Sequence, residues 1–208
     1  MAGGVRLRAS YNVRMDDVTV VELAEAQRHG AIATLVAAFI ADPVERWLYP
    51  EASDYLAHFG RFVEAFAGRA FDTRSAWGLP DVSAVALWLP PGTQRDDETV
   101  VQLLTETVAP LKHADMLAVA EQMDAAHPTY PHWYLALLGV DPSRQRLSLG
   151  SRLLEVGLQT VDAAHLPAYL ETPNPHSVAF YQRYGFVESG WVQAGTCPPM
   201  VSMLRAAR

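Results

Sequence analysis

Two stretches in the second half of the chain carry residue types at spacings that chemistry asks for. The first, VDPSRQRLSLGSRLL, runs from Val140 to Leu154. It leaves an apolar run, turns at Pro142 and enters a helical pattern from Gly150. A turn of this kind presents the unpaired N–H groups and positive dipole end of a new helix, which attract phosphate. Ser148 and Gly150 are small enough for an anion to approach, and Arg144, Gln145 and Arg146 add side-chain donors, so the turn suits a pyrophosphate. The alternative is a solvated turn that binds nothing. A P-loop would need a Gly-Lys-Ser/Thr ending, which is absent, and a dinucleotide fingerprint would need three glycines, of which only Gly150 is in place.

The second stretch, NPHSVAFYQRYGF, spans Asn174 to Phe186. It begins just after the next apolar strand, where α/β sheets place ligands. Asn174 precedes Pro175 as a helix N-cap would, which is a structural use for it beside any ligand contact. Gly185 stands where a left-handed helix cap is expected.

These stretches need elements to hold them. Val18–Leu23 reads as a short edge strand and Ala24–Ile40 as a helix with Ile32, Leu35, Val36 and Phe39 on one face, ended by Asp42-Pro43. Val44–Ala70 continues with helical spacing. Phe71–Trp77 and Val82–Leu89 read as a strand pair across the turn 78–81. Asp96–Asp124 is one or two helices broken at Pro110, and 127–131 is a loop. Trp133–Val140 is an almost unbroken apolar strand of the kind covered on both faces. Helix 150–164, strand 168–171, helix 175–184 and a closing hairpin of 186–192 with 200–204 follow. The order strand, helix, strand, helix, strand, strand predicts an α/β sheet with a right-handed parallel crossover.

Composition limits the function classes. The chain has 208 residues, which suits one domain: residues 1–16 read as a loose leader and 17–208 as the folded unit. Half the residues are hydrophobic and 19% are charged, ordinary values for a globular protein. A net charge of −7 speaks against nucleic acid as a partner. The single cysteine, Cys197, allows no internal disulfide and no cysteine-built metal site, in keeping with a reducing cytoplasm. No apolar window is long enough for a signal peptide or a membrane span.

Taken together, Val140-x-Pro142-x-x-Gln145-x-x-Ser148-x-Gly150-x-x-Leu153-Leu154 resembles the coenzyme A pyrophosphate motif of the GNAT N-acetyltransferases, and Asn174, Tyr181, Gly185 and Phe186 match that superfamily's later Asn…Tyr-x-x-x-Gly-Phe motif. The resemblance covers roughly residues 132–190. AAFIADPVERWLYP and YLETPNPHSVAFYQRYGF are similar to actinobacterial members near puromycin N-acetyltransferase. The resemblance implies a GNAT-like mixed, mostly antiparallel sheet, with a central splayed parallel strand pair and flanking helices. It implies acetyl-CoA as cosubstrate, no metal, a small-molecule primary amine (antibiotic-like or polyamine-like) as partner, no nucleic acid or membrane, and a monomer or homodimer. A non-enzymatic acyl-coenzyme A sensor on the same fold is the second reading.

Residue by residue, the resemblance implies that Leu138, Gly139 and Val140 offer their backbone to the pantetheine arm, with an N–H near Leu138 facing the thioester oxygen. Gly139 would permit a β-bulge there, or serve close packing of a core strand. Arg144, Gln145, Arg146, Leu147, Ser148, Leu149, Gly150 and Ser151 would surround the pyrophosphate. Arg146 and Ser148 stand where glycines are usual, so Arg146 must adopt an ordinary φ or accept left-handed strain. Asn174 would hydrogen-bond the coenzyme arm, and Tyr181 would protonate the leaving thiolate, unless it is a packed core tyrosine. The strand 132–137 carries no carboxylate, so Glu171 and His132 are the base candidates beside a water chain. The acceptor pocket is expected from the N-terminal helices and the 71–92 strand pair, with Trp47, Tyr49, Trp88 and Tyr134 as candidate linings. Cys197, with no base beside it in sequence, is not expected to be a nucleophile.

Overall fold

The structure of the protein, a computed structural model, describes residues 18–208, so the leader expected over 1–16 lies outside the described residues. Seven strands form one sheet: β1 (Val21–Glu22), β2 (Ala76–Gly78), β3 (Ala84–Leu89), β4 (Trp133–Val140), β5 (Ala168–Thr172), β6 (Val187–Val192) and β7 (Met200–Arg205). Their order is β1-β2-β3-β4-β5-β7-β6. Every neighbouring pair is antiparallel except β4 and β5. The helices are α1 (Arg28–Ala38), α2 (Pro43–Leu48), α3 (Ala52–Ala67), α4 (Arg69–Asp72), α5 (Asp97–Thr107), α6 (His113–Ala126), α7 (Leu149–Ala163) and α8 (Pro175–Gln182). Among the described residues no helix is long and apolar enough to cross a membrane.

Strand periodicity divides the core into two layers. On β3, Val85, Leu87 and Leu89 enter one apolar cluster, built with α1–α6, while Ala84, Ala86 and Trp88 enter the other, built with α7. All six residues are buried, as a strand covered on both faces requires. β4 changes parity midway. Leu137 pairs with Leu87 and Leu135 with Trp88, which leaves Ala136 as an extra, unopposed residue. On one side of it Tyr134 faces the first cluster and Leu135 the second; on the other side Leu137 faces the first and Leu138 the second. One additional residue in a strand has this consequence because side chains alternate with period two.

One expectation is corrected, and another gains a detail. Phe71 does not start a strand: Ala70 and Phe71 are buried in the short helix α4, Arg74 ends it at φ 58°, and only Ala76–Gly78 pairs with β3. The closing hairpin forms, but its second strand β7 lies between β5 and β6. Asp42 ends the α1 region as read, and it also N-caps α2, accepting from the Val44 N–H at 2.9 Å and the Glu45 N–H at 3.3 Å.

Candidate active site

β4 and β5 pair at two positions alone, Trp133↔Ala168 and Tyr134↔Tyr169. β4 stays bonded to β3 as far as Val140↔Ala84, so its other edge opens into a cleft of about 730 Å³. Leu138, Gly139 and Val140 line one side of it, the start of α7 closes one end, and Asn174 and Tyr181 line the opposite side. The splay is as expected, but the bulge is at Ala136 rather than Gly139. Gly139 is needed for packing: a Cβ there would stand 2.9 Å from Ala38 Cβ and 2.9 Å from Leu35 Cδ2, so only glycine lets α1 approach β4 this closely.

The start of α7 is held by two left-handed residues, Arg146 at φ 62° and Ser148 at φ 59°. Arg146 therefore accepts the strained conformation, at a cost of roughly 1 kcal/mol for each such residue. The first intrahelical bond runs from the Arg152 N–H to the Ser148 carbonyl (3.1 Å), so the N–H groups of Leu149, Gly150 and Ser151 have no acceptor within the helix. The Ser148 side chain does not cap them. They open on the cleft.

Arg144, Gln145 and Arg146 all line the cleft, and two of them are also tied to the protein. Gln145 Nε2 donates to the Val140 carbonyl (3.2 Å), fastening the turn to the end of β4. Arg144 is held by Asp81 at 3.0 Å. Leu147 is 42% exposed and is not among the residues that line the cleft. Arg146 lines it and makes no ion pair among the described residues.

Opposite, Asn174 caps α8 by accepting from the His176 N–H at 3.0 Å through Oδ1, which leaves its amide NH2 for the cleft. Tyr181 is 9% exposed, and its ring packs on Phe180 (5.0 Å) and Phe186 (5.8 Å), so it is both a core tyrosine and a cleft residue. Burial pushes its phenol above the ordinary value, which keeps the proton on. Gly185, at φ 90°, turns the chain out of α8.

Glu171 stands where this cleft meets a second, more apolar cavity of about 210 Å³. Phe39, Asp42, Ala136, Leu137, Glu171 and Pro173 line both. The Glu171 side chain is 3% exposed, and the phenols of Tyr134 and Tyr169 are the hydrogen-bond donors set against it, with the Arg95 guanidinium acting on its charge. His127 Nδ1 lies 3.9 Å from Oε1. The Tyr134 phenol is raised well above its ordinary value, by burial first and then by the Glu171 charge. His132, the other base candidate, lies behind His127 with ring centroids 4.7 Å apart and bonds to the Tyr130 carbonyl at 2.8 Å. Burial holds its imidazole below the ordinary value.

The second cavity is lined from α2, α3, α5, α6, β4, β5 and β7, and not from the 71–92 strands. Of the four candidate aromatics, Trp47 and Tyr134 line it. Tyr49 and Trp88 do not: Tyr49 bonds to Thr107 at 2.7 Å and Trp88 is fully buried against Gly157. Cys197 also lines the cavity, and its thiol is pushed up to about 11 by burial and by Asp115 and Glu45, which leaves it a poor nucleophile. Asp42, Glu45, Arg95 and His127 were not legible as site residues. Asp42-Pro43 read as a helix stop, and the others become neighbours only when α2, α5 and the loop after α6 are packed.

Residues 114–186 match the model of the Acetyltransferase (GNAT) family. A Corynebacterium glutamicum ATCC 13032 structure described as histone acetyltransferase HPA2 and related acetyltransferase is 25% identical, covers 92% of this chain and 97% of its own, and superposes with a TM-score of 0.64. An agmatine N-acetyltransferase variant in its apo form is 16% identical over 91% and 98% of the two chains, with a TM-score of 0.62. A Drosophila melanogaster polyamine N-acetyltransferase that forms N-acetylagmatine is 16% identical over 90% and 98%, with a TM-score of 0.59. The splayed pair and its surrounding sheet are the GNAT fold.

Proposed function

We propose that the protein transfers the acetyl group of acetyl-CoA to a primary amine of a small molecule, by direct attack of the amine on the thioester. The observation that carries this reading is the junction at Glu171, where a buried carboxylate joins a polar cleft to a more apolar cavity. A cleft for the acyl donor and a cavity for the acceptor must meet at the reacting atoms, and they meet at a group able to take a proton. The two amine-acetylating structural neighbours support an amine acceptor, as does the resemblance of AAFIADPVERWLYP and YLETPNPHSVAFYQRYGF to actinobacterial members near puromycin N-acetyltransferase.

The cleft suits the coenzyme on its own terms. The free N–H groups of Leu149, Gly150 and Ser151, with Arg146 beside them, fit a pyrophosphate. A Cβ on Gly150 would meet Leu138 Cδ2 at 3.5 Å, an ordinary contact, so packing of the protein alone does not require the glycine, whereas a ligand lying against the turn does. The unpaired edge of β4 at Leu138–Val140 fits the pantetheine amides. The substrate supplies an activated acyl carbon.

The chain's own residues then have defined tasks. Glu171 accepts a proton from the attacking amine, with His127 at 3.9 Å as the next group toward the surface. The backbone N–H at Leu138 donates to the thioester oxygen as its charge grows. As the C–N bond forms and the C–S bond breaks, Tyr181 gives its proton to the departing sulfur and recovers one from solvent. Thiol release from acetyl-CoA across a panel of amines tests the reading: release with an amine and not without one is expected. Heat of coenzyme binding with no release for any amine would favour a sensor.

A further inference from the structure

Glu45, on α2, lines the acceptor cavity and has no task in the mechanism above. It is 8% exposed, and its Oε2 is enclosed without a hydrogen-bond partner. Among the described residues the charged group that acts on it is Asp42, a like charge three residues away, and burial and that charge together raise it well above the ordinary value. A buried carboxyl with no cation and no donor is costly, and proteins keep such groups where a ligand completes them.

The rest of the cavity has the same bias. Five carboxyl side chains line it (Asp42, Glu45, Asp97, Asp124 and Glu171) against a single guanidinium, Arg95. Arg95 is engaged by Asp97 at 3.0 Å and Asp124 at 2.9 Å and also acts on Glu171, and Glu45 is not among the carboxyls it compensates. Between the acidic positions the walls are apolar, with Phe62, Phe66, Leu104, Met116 and Val119 among them.

The geometry points to an acceptor with two cationic nitrogens joined by an apolar spacer: one nitrogen is acetylated at Glu171, and the other is received by Glu45. This inference rests on the acetyltransferase reading for the first nitrogen, whereas the Glu45 site itself needs only binding. Glu45 is a specificity residue here, since its partner nitrogen does not react. Binding brings the missing cation to the orphaned carboxyl and so raises affinity for the diamine over a monoamine of equal length.

Hexylamine and hexamethylenediamine, compared by thiol release from acetyl-CoA, test this. The diamine is expected to have the higher kcat/KM by about tenfold or more, carried in KM, and Glu45→Gln to collapse that ratio to about one. A wild-type ratio of one, or a ratio that survives Glu45→Gln, overturns the inference and leaves acetyl transfer standing. If no amine releases thiol, the acetyltransferase reading falls, and calorimetry decides the Glu45 site separately. Wild-type protein is then expected to bind hexamethylenediamine more tightly than hexylamine, and equal affinities overturn the proposal. The wild-type comparison holds even if the variant fails to fold.

Discussion

His127 Nδ1 stands 3.9 Å from Glu171 Oε1, and its ring meets those of Tyr134 and Tyr169 edge-to-face, with centroids 4.9 and 4.7 Å apart. A buried acid that accepts a proton must release it before the next turnover, and His127, which also lines the outer groove shared with His132, is the group placed to receive it. Glu171→Gln is expected to lower kcat by about 10²-fold or more, within the range for a lost general base. His127→Gln is expected to slow turnover by about tenfold while leaving the KM for the amine near its original value. Steady-state rates across pH check both. A Glu171→Gln enzyme with an intact pH profile would show that the base is elsewhere.

Tyr181→Phe separates chemistry from packing, because phenylalanine retains the ring contacts with Phe180 and Phe186. A fall in kcat of about 10²-fold with little change in thermal midpoint is expected. Replacing the thioester by one with a more acidic thiol should recover much of the loss, since a better leaving group needs less help from an acid. Unchanged acyl transfer would discard the assignment.

Arg146 and Ser148 should respond alike in a stability assay and differently in a binding assay. Glycine at either position relieves a left-handed φ, so each variant is expected to gain about 0.5–1 kcal/mol of stability in urea melts. Ser148→Gly should keep its affinity for coenzyme A. Arg146→Gly removes a cation from the cleft, and it should lose about tenfold in affinity and show a weaker salt dependence. Equal coenzyme binding by both variants would place Arg146 outside the pyrophosphate contacts.

Arg205 is 2% exposed and grips Asp162 with two bonds, of 2.6 and 2.8 Å, while its Nε donates to the Tyr184 carbonyl at 2.9 Å. It thus ties β7 to α7 and to the end of α8. The Arg205 guanidinium, through its hydrogen bonds first, holds the Asp162 carboxyl below the ordinary range. A lowered folded-state value means that this contribution to stability is full above about pH 4, the usual unfolded value, and fades as pH falls through the folded one. Asp162→Asn is expected to cost roughly 2 kcal/mol at pH 7 and to flatten the acid side of the stability profile, as read by denaturant melts at several pH values. An unchanged acid limb would mean that the pair contributes nothing to that profile.

Local pattern made much of this molecule readable. The bounds of β4, the break at Pro110, the cap at Asn174 and the turn at Gly185 depend on residues within a few positions of one another, and all were visible in the chain. The placement of β7 inside β6 depends on pairing partners some thirty residues apart, and no local signal records it. The bulge at Ala136 leaves an apolar run that reads identically with or without it. Glu45 looks like any acidic residue in the first turn of a helix until α5 and α6 close over it. The same holds for Glu171: its place at a strand end was legible, but the two cavities that meet there were not.

The unopposed residue at Ala136 has a bearing on how this protein can vary. It acts as a frameshift in the strand, setting which layer each later side chain enters. Removing one residue near it would turn Gly139 away from α1 and push Leu138 or Val140 against that helix, with every later contact inverted at once. Side chains along β4 can be exchanged one at a time, but its length cannot, so lineages that descend from this chain should differ in the letters of this segment and agree in their number.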